Sequence, residues 1–140
     1  MKIAELDLPK PAKDFLKAEG FSKLYPAQED SIVAGLLDGK SILVSAPTAS
    51  GKTLIATLAM LSYLSKNKGK VVYLSPLRAL AAEKFSEFKK MEKIPLGKKI
   101  KTQISTGDFE SVDKTLDKSD IIVLTNEKMD SLIRHGAEWV

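Results

Sequence analysis

One stretch of the chain has residue types suited to gripping a polyphosphate: Ala46-Pro47-Thr48-Ala49-Ser50-Gly51-Lys52-Thr53. It fits the Gly-x-x-x-x-Gly-Lys-Thr phosphate-loop pattern, except that Ala46 stands where the first glycine falls. That position only begins the loop, whereas Gly51 is where the backbone must approach phosphate oxygens with no Cβ in the way. N–H groups from Ala49 to Thr53 would point at the anion from the start of the next helix, whose dipole favours negative charge. Lys52 would lie along the β and γ phosphates as a point charge, and the Thr53 hydroxyl would ligate Mg²⁺. The pattern therefore points to ATP with Mg²⁺ as cofactors. Ala46 to Thr53 form the candidate pocket, Lys52 and Thr53 are the candidate catalytic residues, and Thr53 is the candidate metal ligand.

Such a loop works only if a strand feeds it and a helix leaves it. Ser41–Ser45 is a short apolar run directly before the loop. Directly after it, Leu54, Ile55, Leu58, Leu61 and Leu64 recur at helical spacing. Val71–Ser75 and Asp120–Leu124 are β-branched runs of the kind buried on both faces of a parallel sheet. Ile100, Thr102 and Ile104 alternate with Lys101 and Gln103, which predicts a half-buried strand nearer an edge. Ala81, Phe85 and Phe88 mark a second helix, and Pro26 with Gly39 brackets a third through Ile32, Val33 and Leu36. Four strands separated by helices predict a doubly wound α/β domain with right-handed crossovers. Ligands then collect outside the carboxyl ends of the strands, so the loops after Ser45, Ser75, Ser105 and Leu124 are expected on one rim.

Composition is consistent with one globular domain of 140 residues: 44% hydrophobic, 29% charged, net charge +4. No apolar run approaches the roughly 20 residues of a spanning helix, and residues 1–10 have no signal-peptide core, so the cytoplasm is the expected location and no membrane is expected. With no cysteine, disulfides and thiolate-bound zinc or iron are excluded. His135, the single histidine, has no second ligand at metal spacing and reads as a surface residue near a helix end. Lys84, Lys89, Lys90, Lys93, Lys98, Lys99 and Lys101 face only Glu83, Glu87 and Glu92 in the same stretch. That excess suits a polyanionic partner, or else a solvated face.

Further segments accompany the loop. Phe21-Ser-Lys-Leu24-Tyr25-Pro26-Ala27-Gln28 resembles the Q motif of superfamily 2 helicases, Ala46 to Thr53 their motif I, and Ser75-Pro76-Leu77-Arg78-Ala79-Leu80-Ala81 their motif Ia. Ser105-Thr106-Gly107-Asp108 and the run from Thr125 to Leu132 resemble the nucleic-acid-contacting segments that follow, including motif Ib. The wording is most similar to archaeal superkiller-like DNA helicases of the Holliday-junction-migration type, over about Leu8 to Val140. The resemblance implies a three-layer α/β fold with a parallel sheet of the P-loop NTPase (RecA-like) type, here incomplete. Residues 1–140 would be the N-terminal portion of the first RecA-like domain of an ATP-dependent 3′-to-5′ DNA helicase of repair or recombination.

It also implies roles residue by residue. Gln28 would read the adenine edge, since a carboxamide offers a donor and an acceptor matched to N6 and N7. Pro76, Leu77, Arg78, Thr106, Gly107, Asp108, Thr125 and Lys128 would contact nucleic acid, Arg78 holding a phosphate at a helix start. Thr125 is equally suited to capping the helix that runs toward Arg134. The implied partners are single-stranded or branched DNA, with RNA not excluded, and the remaining helicase domains around a monomer.

The chain departs from the family in one respect. No Asp-Glu pair follows a buried strand: Asp120 precedes one and Asp108 lies on a loop. Without the water-orienting carboxylate and arginine fingers, phosphoryl transfer loses most of its rate, so the 140 residues alone are expected to bind nucleotide and hydrolyse it negligibly. Two other readings compete. One is a non-catalytic nucleotide or nucleic-acid module. The other, a small P-loop kinase, would be expected to show the first loop glycine and an arginine-bearing lid. Trp139 is expected to pack against sequence beyond these residues.

Overall fold

Val71–Ser75 (β1), Thr102–Ser105 (β2) and Ile121–Thr125 (β3) pair in parallel in the computed structural model of the chain, in the order β1-β3-β2. The structure describes residues 1–47, 51–67, 69–106 and 114–140. They divide into two units, Met1–Lys68 with Ile94–Gly97, and Gly69–Lys93 with Lys98–Val140.

The sheet belongs to the second unit, and the period of two along its strands decides what packs where. In register, Val72 lies beside Ile122 and Tyr73 beside Val123, which has Ile104 on its other side. The face bearing Val72, Ile122 and Leu124 is covered by Leu116 of α5 (Lys114–Asp117), by Leu132 and Met129 of α6 (Asn126–Arg134), and by Ala137 and Trp139. On the opposite face Tyr73 meets Phe88 of α4 (Arg78–Lys89) edge-on, with ring centroids 5.0 Å apart. The unit is thus three layers thick. Ile121 to Leu124 are wholly buried, each contributing about 1.5–3 kcal/mol by removal from water. Trp139 packs on this core, contrary to the expectation that it awaits later sequence, because Leu132 and Ala137 already supply its apolar wall.

β2 is the half-buried edge strand its alternation predicts. β1 is not the doubly buried strand its apolar content suggests: only β3 pairs with it among the described residues, and Leu74 is 47% exposed. The third correction concerns Ser41–Ser45, which lies outside any strand, with Leu43 96% exposed. The described residues therefore hold three strands, not four. Apolar, β-branched composition favours extended backbone, but a strand exists only where another edge takes up its N–H and C=O groups.

The first unit is helical. It contains α1 (Lys10–Ala18), α2 (Pro26–Val33) and α3 (Lys52–Lys66), with turns of tighter helix at Ile3–Glu5 and Leu36–Asp38. α3 buries the predicted stripe Leu54, Ile55, Leu58, Leu61 and Leu64. The helix bracketed by Pro26 and Gly39 is shorter than predicted. It ends at Val33 because Gly35 turns the backbone to φ 106°, which leaves Val33 exposed and swings Leu37 inward. The Leu37 carbonyl then accepts from Ser62 Oγ at 3.1 Å and Lys66 Nζ at 3.2 Å, tying the turn to α3. Residues 1–3 run antiparallel to 22–24, with Ile3 N–H donating to Ser22 and Leu24 N–H to Met1.

Candidate nucleotide site and nucleic-acid rim

α3 begins where the loop ends, and Gly51 makes the junction possible. Its φ of 82° lies in the left-handed region, and a Cβ there would fall 2.1 Å from Gln28 Nε2. The third residue of α2, Gln28, is 2% exposed. Its Oε1 accepts from the Tyr25 N–H at 2.8 Å, which is the return arm of a capping box, and its Nε2 donates to the Gly51 carbonyl at 3.0 Å. The same carbonyl accepts the Leu54 N–H at 3.2 Å. Gln28 is therefore a buried strut between two helix starts. One N–H and one lone pair of its carboxamide are engaged, and one of each remains.

Lys52 is exposed, and its Nζ donates to the Ala46 carbonyl at 2.8 Å, closing the loop's two ends on each other. Lys52 and Thr53 occupy the first turn of α3, where N–H groups have no intrahelical acceptors and the dipole is positive. Thr53 is half-buried, and its carbonyl accepts from Thr57 Oγ1 at 3.0 Å. A single protein hydroxyl suits Mg²⁺, which keeps several waters and takes further oxygens from substrate phosphates. Ala46 and Pro47 precede this start, while Thr48, Ala49 and Ser50 lie outside the described residues.

Tyr25 is a residue that sequence reasoning passed over. The residue is 60% exposed, and its ring atom Cδ2 sits 3.4 Å from where a Gly51 Cβ would be, offering a surface on which a base can stack. An aromatic directly before Pro26 and three residues ahead of Gln28 was the available signal. The strut to Gly51, spanning 23 residues, had none.

In the second unit the loops after β1, β2 and β3 leave the same carboxyl rim of the sheet, as expected; the loop after Ser45 belongs to the first unit. Pro76, Leu77 and Arg78 are all exposed there. Ser75 Oγ donates to the Leu77 carbonyl at 3.2 Å, and the Ala81 N–H to the same carbonyl at 3.0 Å, so α4 starts in a fixed turn with Arg78 at its head. Thr106 is half-exposed on the adjacent loop, and Gly107 and Asp108 lie outside the described residues.

Thr125 and Lys128 differ from these. Each is 5% exposed, and Thr125 Oγ1 accepts the Lys128 N–H at 3.2 Å as the N-cap of α6. Of the two roles open to Thr125, capping is the one its side chain performs. His135 sits exposed at the C-cap of α6, its Nδ1 2.8 Å from the Ser131 carbonyl. No group of three or more His, Cys, Asp or Glu placed to hold a metal occurs among the described residues. No helix among them is long and apolar enough to cross a membrane.

With this geometry in place, the chain can be set beside known proteins. The model of the DEAD/DEAH box helicase family matches residues 25–139. The chain is 51% identical over 141 residues to the ATP-dependent DNA helicase Hel308 of Methanocella arvoryzae, and 47% identical over 140 residues to that of Pyrococcus abyssi. In both cases all of this chain aligns, but it spans only 19% of the relative. Among solved structures, the helicase MrfA bound to DNA and AMPPNP superposes with a TM-score of 0.77 at 29% identity, covering 94% of this chain and 19% of that one. The RNA helicase Prp28 of Chaetomium thermophilum bound to ADP superposes at 0.67 with 26% identity, over 92% of this chain and 33% of that one.

Proposed function

This chain belongs to the DEAD/DEAH box helicase family, and on that footing we propose that it is the nucleotide-binding and strand-contacting part of an ATP-dependent 3′-to-5′ DNA helicase of repair or recombination. Residues 1–140 would be the N-terminal portion of the first RecA-like domain, carrying the Q motif and motifs I, Ia and Ib, with the Asp-Glu motif outside them. The observation that carries the reading is the junction of Gln28, Gly51 and Lys52: a buried strut, a left-handed glycine and a cation at the start of α3. The relatives named ATP-dependent DNA helicases, and a neighbour bound to DNA and AMPPNP, favour ATP and DNA over other partners.

In this reading the polyphosphate lies against the first turn of α3, in the pocket from Ala46 to Thr53. Lys52 leaves the Ala46 carbonyl for the phosphates, a charged acceptor in place of a neutral one, which about doubles the strength of the hydrogen bond. Thr53 supplies the protein oxygen to Mg²⁺, which when bound offsets phosphate charge. The free N–H and lone pair of Gln28 read the adenine edge while its other two groups keep the loop in place. Tyr25 stacks on the base. On the sheet rim, Pro76, Leu77 and Arg78 meet the strand directly, with Thr106 on the neighbouring loop; Gly107 and Asp108, outside the described residues, are assigned the same role from the sequence alone. Thr125 and Lys128 act chiefly by fixing the start of α6. The remaining helicase domains would complete the machine as a monomer in the cytoplasm, and these residues alone would hydrolyse ATP negligibly.

Calorimetric titration of ADP and GDP, each with Mg²⁺, tests the reading. ADP should bind more tightly than GDP, and both Gln28→Ala and Gln28→Glu should erase that preference. Gln28→Glu retains an acceptor for the Tyr25 N–H but loses the donor to the Gly51 carbonyl, so circular dichroism of both variants accompanies the titrations to separate base reading from folding. An undiminished preference in Gln28→Glu would refute adenine reading at this position.

A further inference from the structure

The edge of the sheet opposite the carboxyl rim carries its own charge pattern. Lys70 immediately precedes β1, Lys101 immediately precedes β2, and Lys118 lies in the turn before β3. Hydrogen bonds bind this edge into one surface. Lys70 Nζ donates to the carbonyls of Asp117 and, at 3.0 Å, Ser119. The Asp120 N–H donates to the Lys101 carbonyl at 2.8 Å, and the Lys101 N–H to Asp120 Oδ2 at 2.9 Å. The Thr102 N–H donates to Glu92 Oε1 at 2.9 Å, which brings the turn at Lys90–Lys93 to the same edge.

This network leaves an excess of positive charge. Lys70 is held by neutral carbonyls, which orient its ammonium without cancelling it. The Asp120 carboxylate is shared between the Lys101 N–H and Lys98 at 3.6 Å, Glu92 is turned onto backbone, and exposed Asp117 is the one further acid set against Lys99, Lys101 and Lys118 among the described residues of this edge. Lys99, Lys101 and Lys118 remain exposed along the edge. Strands stand about 4.8 Å apart, so the surface runs roughly 10 Å across three strands, wide enough to meet several phosphates spaced as in a duplex.

We propose that this amino edge, centred on Lys99, Lys101 and Lys118, is a second polyanion-docking surface whose occupant is the phosphate backbone of a nucleic-acid duplex. A duplex fits better than a single strand. Single-strand grooves pair cations with aromatic stacking platforms, and the described residues before β1, β2 and β3 (70, 98–101 and 117–120) include no aromatic. Point charges without base-reading groups suit backbone contact that is independent of sequence. The inference extends the proposed function, since it supposes the same class of partner; a strand on the carboxyl rim and a duplex on the amino edge would contact opposite ends of one sheet.

The test is fluorescence anisotropy of the full chain with a duplex and with a single strand, across a salt series. Three proteins are compared: wild type, the triple variant K99A/K101A/K118A, and Arg78→Ala, with circular dichroism to check folding. The triple variant should bind the duplex at least about tenfold more weakly, with the slope of log affinity against log salt shallower by about 0.9 for each phosphate it no longer neutralises. Arg78→Ala should weaken only the single strand. A triple variant that binds the duplex like wild type overturns the inference, whatever Arg78→Ala does. Displacement of the duplex by poly-glutamate at equal charge concentration also overturns it, because an acidic protein would then be an equal occupant. If Arg78→Ala leaves single-strand binding intact while the triple variant loses the duplex, the rim reading fails and the amino edge stands.

Discussion

The start of α3 and the carboxyl rim of the sheet are the two places proposed to meet phosphate, and they hold their charges in opposite ways. At the start of α3, Lys52 is bonded to the Ala46 carbonyl, and Gln28 is locked between Tyr25 and Gly51. On the rim, Pro76, Leu77 and Arg78 are exposed above a fixed turn. On the proposed reading a nucleotide must therefore displace an internal hydrogen bond before Lys52 can serve it. A strand needs no such exchange at Arg78. The difference predicts that nucleotide binding is coupled to the local order of α2 and α3, whereas strand contact at the rim is a matter of surface charge.

That contrast can be broken by substitution, and the largest effect is expected at Gly51. Gly51→Ala places a Cβ against Gln28 Nε2 in a left-handed backbone. The conformation alone costs about 1–2 kcal/mol, and losing the buried hydrogen bond adds about 1–3. Urea unfolding should show the loss, and calorimetry should show ADP affinity falling with it. Gln28→Ala comes next: the Tyr25 N–H loses its partner and the Gly51 carbonyl keeps only Leu54, lowering stability by about 1–3 kcal/mol in the same unfolding assay.

The rim sharpens the contrast. Thr125→Ala removes the cap of α6 and should cost about 1 kcal/mol in stability while leaving ADP affinity unchanged. Arg78→Ala should have the smallest effect on folding, within about 0.5 kcal/mol, because the side chain is exposed. Its signature is instead a strand affinity whose salt slope is shallower by about 1.

Much of this was legible in the residues, for identifiable reasons. The helix after the loop follows from Leu54, Ile55, Leu58, Leu61 and Leu64, because a stripe at helical spacing needs no distant partner to declare itself. β3 was equally plain, since a strand buried on both faces is apolar throughout. Ser41–Ser45 misled because its composition matches β3 while strand formation depends on a pairing edge that composition does not encode. The early stop of α2 was written in Gly35, which lies between Val33 and Leu36 and interrupts an otherwise continuous pattern. In the candidate site, the phosphate loop could be read because its residues are contiguous. The strut from Gln28 to Gly51 could not, since it depends on how two helices meet. Burial of Lys128 runs against its residue type, although its place one turn before Leu132 put it on the same face of α6.

The central claim is that the start of α3 grips nucleotide phosphate through Lys52. Calorimetric titration of ADP with Mg²⁺ into wild type and Lys52→Ala addresses it most directly. Removing a charge-assisted hydrogen bond of about 1.5–3 kcal/mol should weaken binding by roughly one to two orders of magnitude. Thermal stability should stay within about 0.5 kcal/mol, since Lys52 is exposed. Equal affinity in the two proteins would contradict the account.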